Sequence, residues 1–260
     1  MGHIGSIIRQ YRQTLRMSRK ELSENICSEK HIYLIEKGER SPSVNTLKLL
    51  GLKMSVDLFE FYQYIDCIKP LEVMEKIKNF HIYRINLDID SMKELSDNTK
   101  DIEDFKNRPW SFEIRLNHFY YMVFAEKRYE DAVCGVKELL EETKTWNMQD
   151  TFLINAYTLM TSCCLINRDR VSAKKYALMS YDISKKRYVI GENDNMLTKM
   201  TVNLMGAYYS NNEYDEAIKI GNEVLKIKQK LDSYGKIHFI FFLLHFHIMR
   251  KKCERKQTSI

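Results

Sequence analysis

Three consecutive polar residues, Glu29, Lys30 and His31, follow Ser28 and could together recognise another molecule. The hydroxyl of Ser28 can accept a hydrogen bond from the first turn of a helix, so the helix would begin at Glu29. The three side chains would then point outward from its N-terminal turn. Side chains at that place in a recognition helix reach base edges in the major groove of DNA.

Basic residues on either side of this turn extend the candidate surface. We expect Arg19, Lys37 and Arg40 to hold phosphate groups, because such contacts position a protein on DNA without distinguishing its bases. The complete predicted DNA-binding set consists of Arg19, Ser28, Glu29, Lys30, His31, Tyr33, Leu34, Lys37 and Arg40.

Two short helices must position this surface, and residues 18–43 contain the signals for both. Ser18 and Glu21 form a capping box at the start of the first helix. Ser28 caps the second helix, and Gly38 can take the left-handed conformation that ends it. The turn between the helices is only a residue or two long. The apolar positions expected to be buried are Leu22, Ile26, Ile32 and Ile35. The pattern predicts a helix-turn-helix, with a plain helical hairpin as the alternative.

Residues 4–66 resemble the five-helix DNA-binding domain of the XRE and lambda-repressor type. Ser43 would cap a fourth helix, and Ser55 would open a fifth that carries Leu58 and Phe59. The apolar stripe of the first helix consists of Ile4, Ile7, Ile8, Tyr11 and Leu15.

The run Ile35-Glu36-Lys37-Gly38 is similar to the end of that family's recognition helix. The resemblance implies that Glu36 pairs with an arginine of the first helix, here Arg12. Two features depart from the family pattern. The turn lacks its usual glycine and is about one residue shorter, and Arg19 stands where glutamine is usual. The arginine favours phosphate contact over base contact.

Charge is distributed unevenly along the chain, whose formal net charge is +6. Residues 1–53 carry +5, residues 54–249 carry −3 and residues 250–260 carry +4. A basic N-terminal segment on a mildly acidic body suits neutralisation of DNA phosphates, and it would make binding salt dependent. The alternative for any such run of charges is a solvated face.

Only 9 glycines and 3 prolines interrupt the 260 residues, so we predict an all-α protein. Pro70 indicates a boundary, because the residue before a proline avoids helical geometry. We therefore expect a helix-turn-helix domain over residues 1–68 and a second domain over residues 69–260. The apolar run 237–249 is too short and too polar to cross a bilayer. The six cysteines show no CxxC or disulfide-like spacing, which favours reduced thiols in a cytoplasmic protein.

The second domain contains an internal repeat. Residues 203–217 (NLMGAYYSNNEYDEA) resemble the tetratricopeptide consensus, and residues 118–132 and 159–173 follow the same register. The marker alanines are Ala132, Ala173 and Ala217. Their separations of 41 and 44 residues exceed the usual repeat of about 34, so we expect longer helices or longer connections.

Stacked units of this kind bury their apolar faces only against each other, so we predict a tetratricopeptide-like α-solenoid with a concave groove. Residues 71–103 would form a degenerate first unit and residues 234–256 a closing helix. An asparagine can both donate to and accept from the backbone of an extended peptide. The predicted peptide-binding set consists of Asn117, Tyr121, Asn155, Thr158, Ser162, Lys199, Asn203 and Tyr209. For any single member, the alternative is a polar or aromatic residue on a solvated helix face.

This combination of domains resembles the peptide-pheromone-responsive transcriptional regulators of Gram-positive bacteria, the PlcR, PrgX and Rgg type. The run from Leu22 to Cys27 is also similar to the corresponding part of that family. The resemblance implies a homodimer that binds a two-fold operator in double-stranded DNA and a repeat domain that captures a short signalling peptide, as in quorum sensing. Residues 239–246 and the basic segment after Met249 are candidates for the dimer surface.

Motifs of other functions are missing from the sequence, which contains no phosphate loop, no HExxH and no GxSxG. The spacing of His238, His245 and His247 does not suit a shared metal. We therefore expect no enzymatic activity, no cofactor, no metal and no membrane partner. Two other functions fit the same features: a ligand-independent repressor of the XRE family, or an adaptor whose repeats dock a protein partner.

Overall fold

The structure is a computed structural model that describes residues 3–146, 148–189, 194–230 and 237–257. Within these ranges the secondary structure is helical, without a strand. The chain divides into two compact units, Met1–Phe80 with Asp97–Ser111 and His81–Ser96 with Phe112–Ile260. The first unit therefore continues beyond residue 68, where the sequence places the end of the helix-turn-helix domain.

The N-terminal part of the first unit has the predicted order of helices. They are α1 (Ile4–Thr14), α2 (Arg19–Ser23), α3 (Glu29–Glu36), α4 (Val44–Met54) and a 3₁₀ helix (Leu58–Tyr64). Their buried apolar side chains, which include Ile7, Ile8, Leu22, Ile32, Ile35, Leu47 and Leu50, form one core. Gly5 allows α1 to approach α3 closely, because a Cβ atom there would lie 1.7 Å from the carbonyl oxygen of Ile35.

The fifth helix of this unit differs from the prediction. Ser55 does not open it; instead this residue ends α4 in the left-handed conformation, with φ of 55°. The carboxylate of Asp57 caps the following 3₁₀ helix by accepting the backbone N–H of Phe59 at 2.9 Å. The predicted start was wrong because a left-handed residue interrupts the helix there. Leu15 also leaves its predicted stripe, since it lies just after α1 and is 46% exposed.

The helices α5 (Pro70–Asn86), α6 (Ile89–Thr99) and α7 (Glu103–Lys106) follow. Pro70 is the first residue of α5, where its fixed φ suits a helix and its missing N–H is not required. Asp104 holds the start of α5, because its carboxylate accepts the N–H groups of Ile68 at 2.8 Å and Lys69 at 3.0 Å. Residues 71–103, predicted as a degenerate first unit, thus contain most of α5 and all of α6.

The remaining helices belong mostly or entirely to the second unit. They are α8 (Ser111–Phe124), α9 (Tyr129–Thr143), α10 (Asp150–Ile166), α11 (Arg170–Val189), α12 (Asp194–Ser210), α13 (Tyr214–Lys230) and α14 (His238–Gln257). From α9 onward each helix packs on the next, while α10 also contacts α12 and α12 contacts α14. This arrangement confirms the predicted α-solenoid. The predicted start of the closing helix, residue 234, lies outside the described residues.

The marker alanines explain how the helical pairs pack. Ala132, Ala173 and Ala217 each occupy the fourth position of a second helix, in α9, α11 and α13, and each is 0% exposed. A small side chain at this position allows the two helices of a pair to approach closely. The long repeat spacing follows from the helix lengths, because α10, α12 and α13 have 17 residues and α11 has 20.

Candidate DNA-binding surface and candidate peptide groove

The caps predicted for α2 and α3 are all present. The hydroxyl of Ser18 accepts the backbone N–H of Glu21 at 3.1 Å, and the carboxylate of Glu21 accepts the N–H of Ser18 at 2.7 Å. The hydroxyl of Ser28 accepts the N–H of His31 at 3.2 Å. Gly38 has a φ of 77° just after α3. These local bonds fix where α3 begins and ends.

The turn between α2 and α3 is longer than predicted. It runs from Glu24 to Ser28, because α2 ends at Ser23, and Ile26 therefore lies in the turn rather than in the helix. Asn25 has a φ of 62°, the left-handed conformation that glycine usually supplies. Asparagine tolerates this conformation better than most residues, so its presence was the sequence signal for the true turn.

A cluster of three charged residues around the buried carboxylate of Glu36 joins α3 to α1 and α2. The guanidinium of Arg12 donates from Nε to Oε1 of Glu36 at 2.6 Å and from a terminal nitrogen to Oε2 at 3.2 Å. This confirms the ion pair implied by the family resemblance. Arg19 also donates from Nε to Oε2 of Glu36 at 2.8 Å. Burial alone would raise the pKa of Glu36, but the hydrogen bonds from the two arginines outweigh it and lower the pKa.

The pairing of Arg19 with Glu36 was missed from the sequence. The Nε of Arg19 bonds the buried carboxylate of Glu36, while 34% of the Arg19 side chain remains exposed. The guanidinium also lies 5.3 Å from the ring centre of Tyr33. Arg19 therefore has a structural contact in addition to the phosphate contact predicted for it.

The exposed end of α3 carries Glu29 and Lys30, as predicted. His31 is only half exposed, and its Nε2 is buried without a hydrogen-bond partner among the described residues. Tyr33 is exposed, and the ammonium of Lys37 lies 4.8 Å from its ring centre. The other members of the predicted set are Ser28 and Arg40, both exposed, and Leu34, half-buried. The surface thus combines two exposed charged residues in the first turn of α3 with cations further along.

In the second unit, the last residues of α5 lie against three of the helices expected to line a groove. His81 contacts Asn155 of α10, Arg84 contacts α8, and the carbonyl oxygen of Ile85 accepts a hydrogen bond from Lys199 of α12. Lys199, a predicted peptide-binding residue, is therefore used by a contact within the unit.

Arg84 is fully buried and organises the contact with α8. Its Nε donates to the amide oxygen of Asn117 at 2.6 Å, and its terminal nitrogens donate to the carboxylate and to the carbonyl oxygen of Glu113, the latter at 2.7 Å. The amide nitrogen of Asn117 donates to Ser96 at 3.3 Å. Asn117 is 2% exposed, so this side chain is already satisfied inside the unit.

His81 organises the contact with α10. The amide nitrogen of Asn155 lies 3.2 Å from its Nδ1, and the hydroxyl of Thr151 lies 3.3 Å from its Nε2. Burial lowers the pKa of His81 to about 4, although the nearby carboxylate of Glu113 raises it. The ring is therefore neutral at pH 7. Asn155 is 3% exposed and, like Asn117, has its partner within the unit.

The other candidate groove residues are partly exposed. The hydroxyls of Thr158 and Ser162 donate to backbone carbonyls one turn earlier in α10, at 2.7 and 3.2 Å. The ring of Tyr209 lies against Phe246 and His247 of α14. The partly exposed subset consists of Tyr121, Thr158, Ser162, Asn203 and Tyr209. Beside them, an added Cβ at Gly206 would meet no atom within 4 Å, so there is open space next to α12.

The described part of the chain offers neither a metal site nor a membrane span. It contains no group of three His, Cys, Asp or Glu side chains that could hold a metal ion. None of its helices has the length and apolar character that crossing a membrane requires.

Residues 8–61 match the family model described as Helix-turn-helix, HTH_3. Across the chain, the fold is similar to that of PlcR from Bacillus thuringiensis, whose crystal structure is a complex with the peptide PapR7 and DNA. The TM-score is 0.76 at 16% identity, over 97% of this chain and 89% of PlcR. ComR from Streptococcus vestibularis gives a TM-score of 0.41 at 14% identity, covering 92% of this chain and 82% of ComR. PrgX in complex with iCF10 gives 0.38 at 16% identity, covering 97% and 98%. The comparison with curated proteins yields no match.

These findings define the class of protein. The matched segment is a helix-turn-helix DNA-binding domain of the XRE type, and the chain has the fold of PlcR. The resemblance to the PlcR, PrgX and Rgg type is confirmed at this level.

Proposed function

We propose that this protein is a transcription regulator that binds a two-fold operator as a homodimer in the cytoplasm, and that a short signalling peptide, held by its second unit, controls that binding. The observation that supports DNA recognition most strongly is the α2–α3 geometry. Ser28 and the Glu36 cluster fix α3, while Glu29 and Lys30 stay exposed at its N-terminal turn. Side chains at that turn are the ones that reach base edges in a helix-turn-helix.

The proposed peptide site is smaller than the groove predicted from the sequence. Because α5 uses Asn117, Asn155 and Lys199, the peptide would contact the partly exposed residues further along α8, α10 and α12. Asn203 and the open space beside Gly206 support a close approach of an extended backbone at α12. PlcR, which has the same fold, binds the peptide PapR7 in its crystal structure, and this supports the same class of ligand.

The proposed dimer surface is the exposed stripe of α14, formed by Phe239, Phe242, Phe246 and Met249. These side chains are 50%, 70%, 45% and 48% exposed, and their spacing of three, four and three residues matches the seam of a helical coiled coil. The opposite side of α14 buries Ile240, Leu244 and His247. A second copy of the same stripe would cover this one with like apolar residues around a two-fold axis. The side chains of residues 251–257, in the predicted basic segment, lie outside the described ones.

A second function, a ligand-independent repressor, is favoured by one observation. Two of the three asparagines predicted to bind peptide are buried and paired within the chain, which is the state expected of residues with a purely structural role. In this alternative the protein uses the same DNA-binding surface, but no peptide controls its binding to DNA.

Fluorescence anisotropy with labelled DNA from upstream of the protein's own gene distinguishes the proposals. Selective binding that changes when peptides encoded beside the gene are added would support the full proposal. Selective binding that no such peptide alters would favour the ligand-independent repressor. Equal affinity for this DNA and for a scrambled duplex would contradict both.

A further inference from the structure

A cleft of about 570 Å³ lies between α9, α10 and α11 in the second unit. Its residues belong neither to the DNA-binding surface nor to the candidate peptide groove. The apolar part of the lining is formed by Leu140, Met148, Leu153 and Met179, and the aromatic part by Trp146, Tyr157 and Tyr176. Sites for small molecules commonly have volumes of roughly 300–1,000 Å³ and combine a mainly apolar lining with a few polar groups.

The aromatic side chains give the cleft a defined wall. The rings of Tyr157 and Tyr176 stack with their centres 6.2 Å apart. Burial raises the pKa of both phenols, so each keeps its hydroxyl proton and can donate a hydrogen bond. Trp146 is 38% exposed at the cleft, where its ring could pack on an apolar ligand.

The charges at the cleft are only partly compensated among the described residues. Glu141 pairs with Lys144 at 2.5 Å, and Asp150 pairs with Arg187 at 3.4 Å. Lys137 of α9 and Lys175 of α11 also line the cleft, and in the described part of the chain neither forms an ion pair within 4 Å. The pKa of Asp169 is lowered mainly by hydrogen bonds from Ser172 and, to a smaller extent, by the charge of Lys137. Both lysines are exposed.

The neighbouring junction of the solenoid shows that this charge pattern is not general. There, Lys174 of α11 pairs with Glu213 at 2.6 Å, and Lys185 of α11 pairs with Glu223 of α13. These ion pairs link α11 to α13 and to the residue just before it. The cleft instead carries one lysine from α9 and one from α11 in its lining, and each ammonium would attract an anion bound there.

We propose that this cleft binds a small amphiphilic carboxylate, with its apolar body against Leu153 and Met179 and its carboxylate held by Lys137 and Lys175. Carboxylates form short, charge-assisted hydrogen bonds with ammonium groups, which provides the specificity for an acid. An alkyl chain or an aromatic ring would fit the lining. This site is separate from the proposed peptide site, so either proposal can fail without the other.

Calorimetry of the full-length protein with octanoate, 4-phenylbutanoate and 1-octanol tests the inference. We expect one site per chain for at least one of the acids, and the tighter acid identifies an alkyl or an aryl body. The double variant Lys137→Gln/Lys175→Gln should lose about tenfold in affinity for that acid, equivalent to about 1.4 kcal/mol, and should bind octanol unchanged. Lys219→Gln, an exposed lysine of α13, serves as the matched control and should behave like the parent.

Tryptophan emission locates the bound acid, because the chain has only 2 tryptophans. In a Trp110→Phe variant the emission comes from Trp146 alone, and we expect it to change on binding. Binding of neither acid, equal affinity in the double variant, or binding without a change in Trp146 emission would each overturn the proposal. The two lysines are exposed, so an unchanged melting temperature is expected to show that the double variant is folded.

Discussion

At the residue scale, the carboxylate of Glu36 accepts hydrogen bonds from both Arg12 and Arg19 inside the first unit. Removing one partner of a buried ion pair leaves the other charge desolvated. Glu36→Ala should therefore lower the free energy of unfolding by about 3–5 kcal/mol, measured by urea denaturation. Glu39→Ala is the matched control, since Glu39 is exposed, and its effect should stay within about 0.5 kcal/mol. Equal effects of the two changes would show that the cluster does not hold α3.

The lowered pKa of Glu36 also gives the direction of a pH effect. A carboxyl whose pKa is lower in the folded state binds its proton more readily when unfolded. Its contribution to stability is therefore complete above the ordinary value of 4.5 and is lost as the pH falls through the lower folded value.

His81 makes a second, separable pH effect in the second unit. Burial lowers its pKa from 6.5 to about 4, so between these values the unfolded chain binds a proton that the folded ring does not. The free energy of unfolding should fall by roughly 3 kcal/mol as the pH drops from about 6.5 to about 4. His81→Gln should reduce this slope, measured by denaturation at a series of pH values. An unchanged slope would mean that the ring is not buried in its neutral form.

At the element scale, the start of α3 was predictable from the sequence. Which groove residues already have hydrogen-bond partners within the chain was not. Caps such as Ser28 depend on residues three positions away, so their signals are local. The partners of Asn117 and Asn155 are Arg84 and His81, which lie 33 and 74 residues away. Neither the apolar period nor the repeat register contains information about such a contact. A residue could therefore be placed on the correct helix from the sequence although its side chain already hydrogen-bonds another residue of the chain.

The long turn before α3 illustrates the same limit in a shorter segment. The helix pattern extended α2 as far as Ile26, because that residue continues the apolar spacing from Leu22. The left-handed conformation of Asn25 decides the turn instead. The left-handed backbone of Asn25 is incompatible with the helix, so α2 ends before Ile26 although the apolar spacing continues to that residue.

The candidate groove yields a prediction about a single helix, α12. If an extended peptide pairs with Asn203, then Asn203→Ala should weaken peptide binding by about 1–3 kcal/mol in calorimetry, because a desolvated peptide group loses its partner. Binding to DNA without peptide should not change. Asn155→Ala gives the contrasting result, since this buried residue bonds His81 and should lower stability instead. Unchanged peptide affinity in the Asn203 variant would place the site elsewhere.

At the scale of the whole molecule, two recognition helices are needed for selectivity, because one helix contacts only a few base pairs. In two-fold operators the half-sites are separated by about 10–10.5 base pairs or a multiple. The exposed stripe of α14 is our candidate for holding two copies together. Phe242→Glu places a charge in the middle of this stripe and should shift the protein from dimer to monomer in sedimentation velocity.

Phe241→Glu is the matched control for the dimer prediction. Phe241 is 52% exposed on the same helix but lies outside the stripe, so its substitution should leave the dimer intact. A monomeric parent protein at micromolar concentration would contradict the proposed dimer, and equal dissociation of both variants would contradict the choice of surface.

Selective DNA binding through α3 is tested most directly by measuring how Lys30→Ala and Arg40→Ala bind the DNA upstream of the protein's own gene and a scrambled duplex over a range of salt concentrations. Lys30→Ala should lose about 1–3 kcal/mol on the upstream DNA and little on the scrambled duplex, since a lysine that contacts a guanine discriminates between bases. Arg40→Ala should weaken both alike and reduce the salt slope by about one unit, as expected of a phosphate contact. Equal losses on the two duplexes for Lys30→Ala would contradict base recognition by the N-terminal turn of α3.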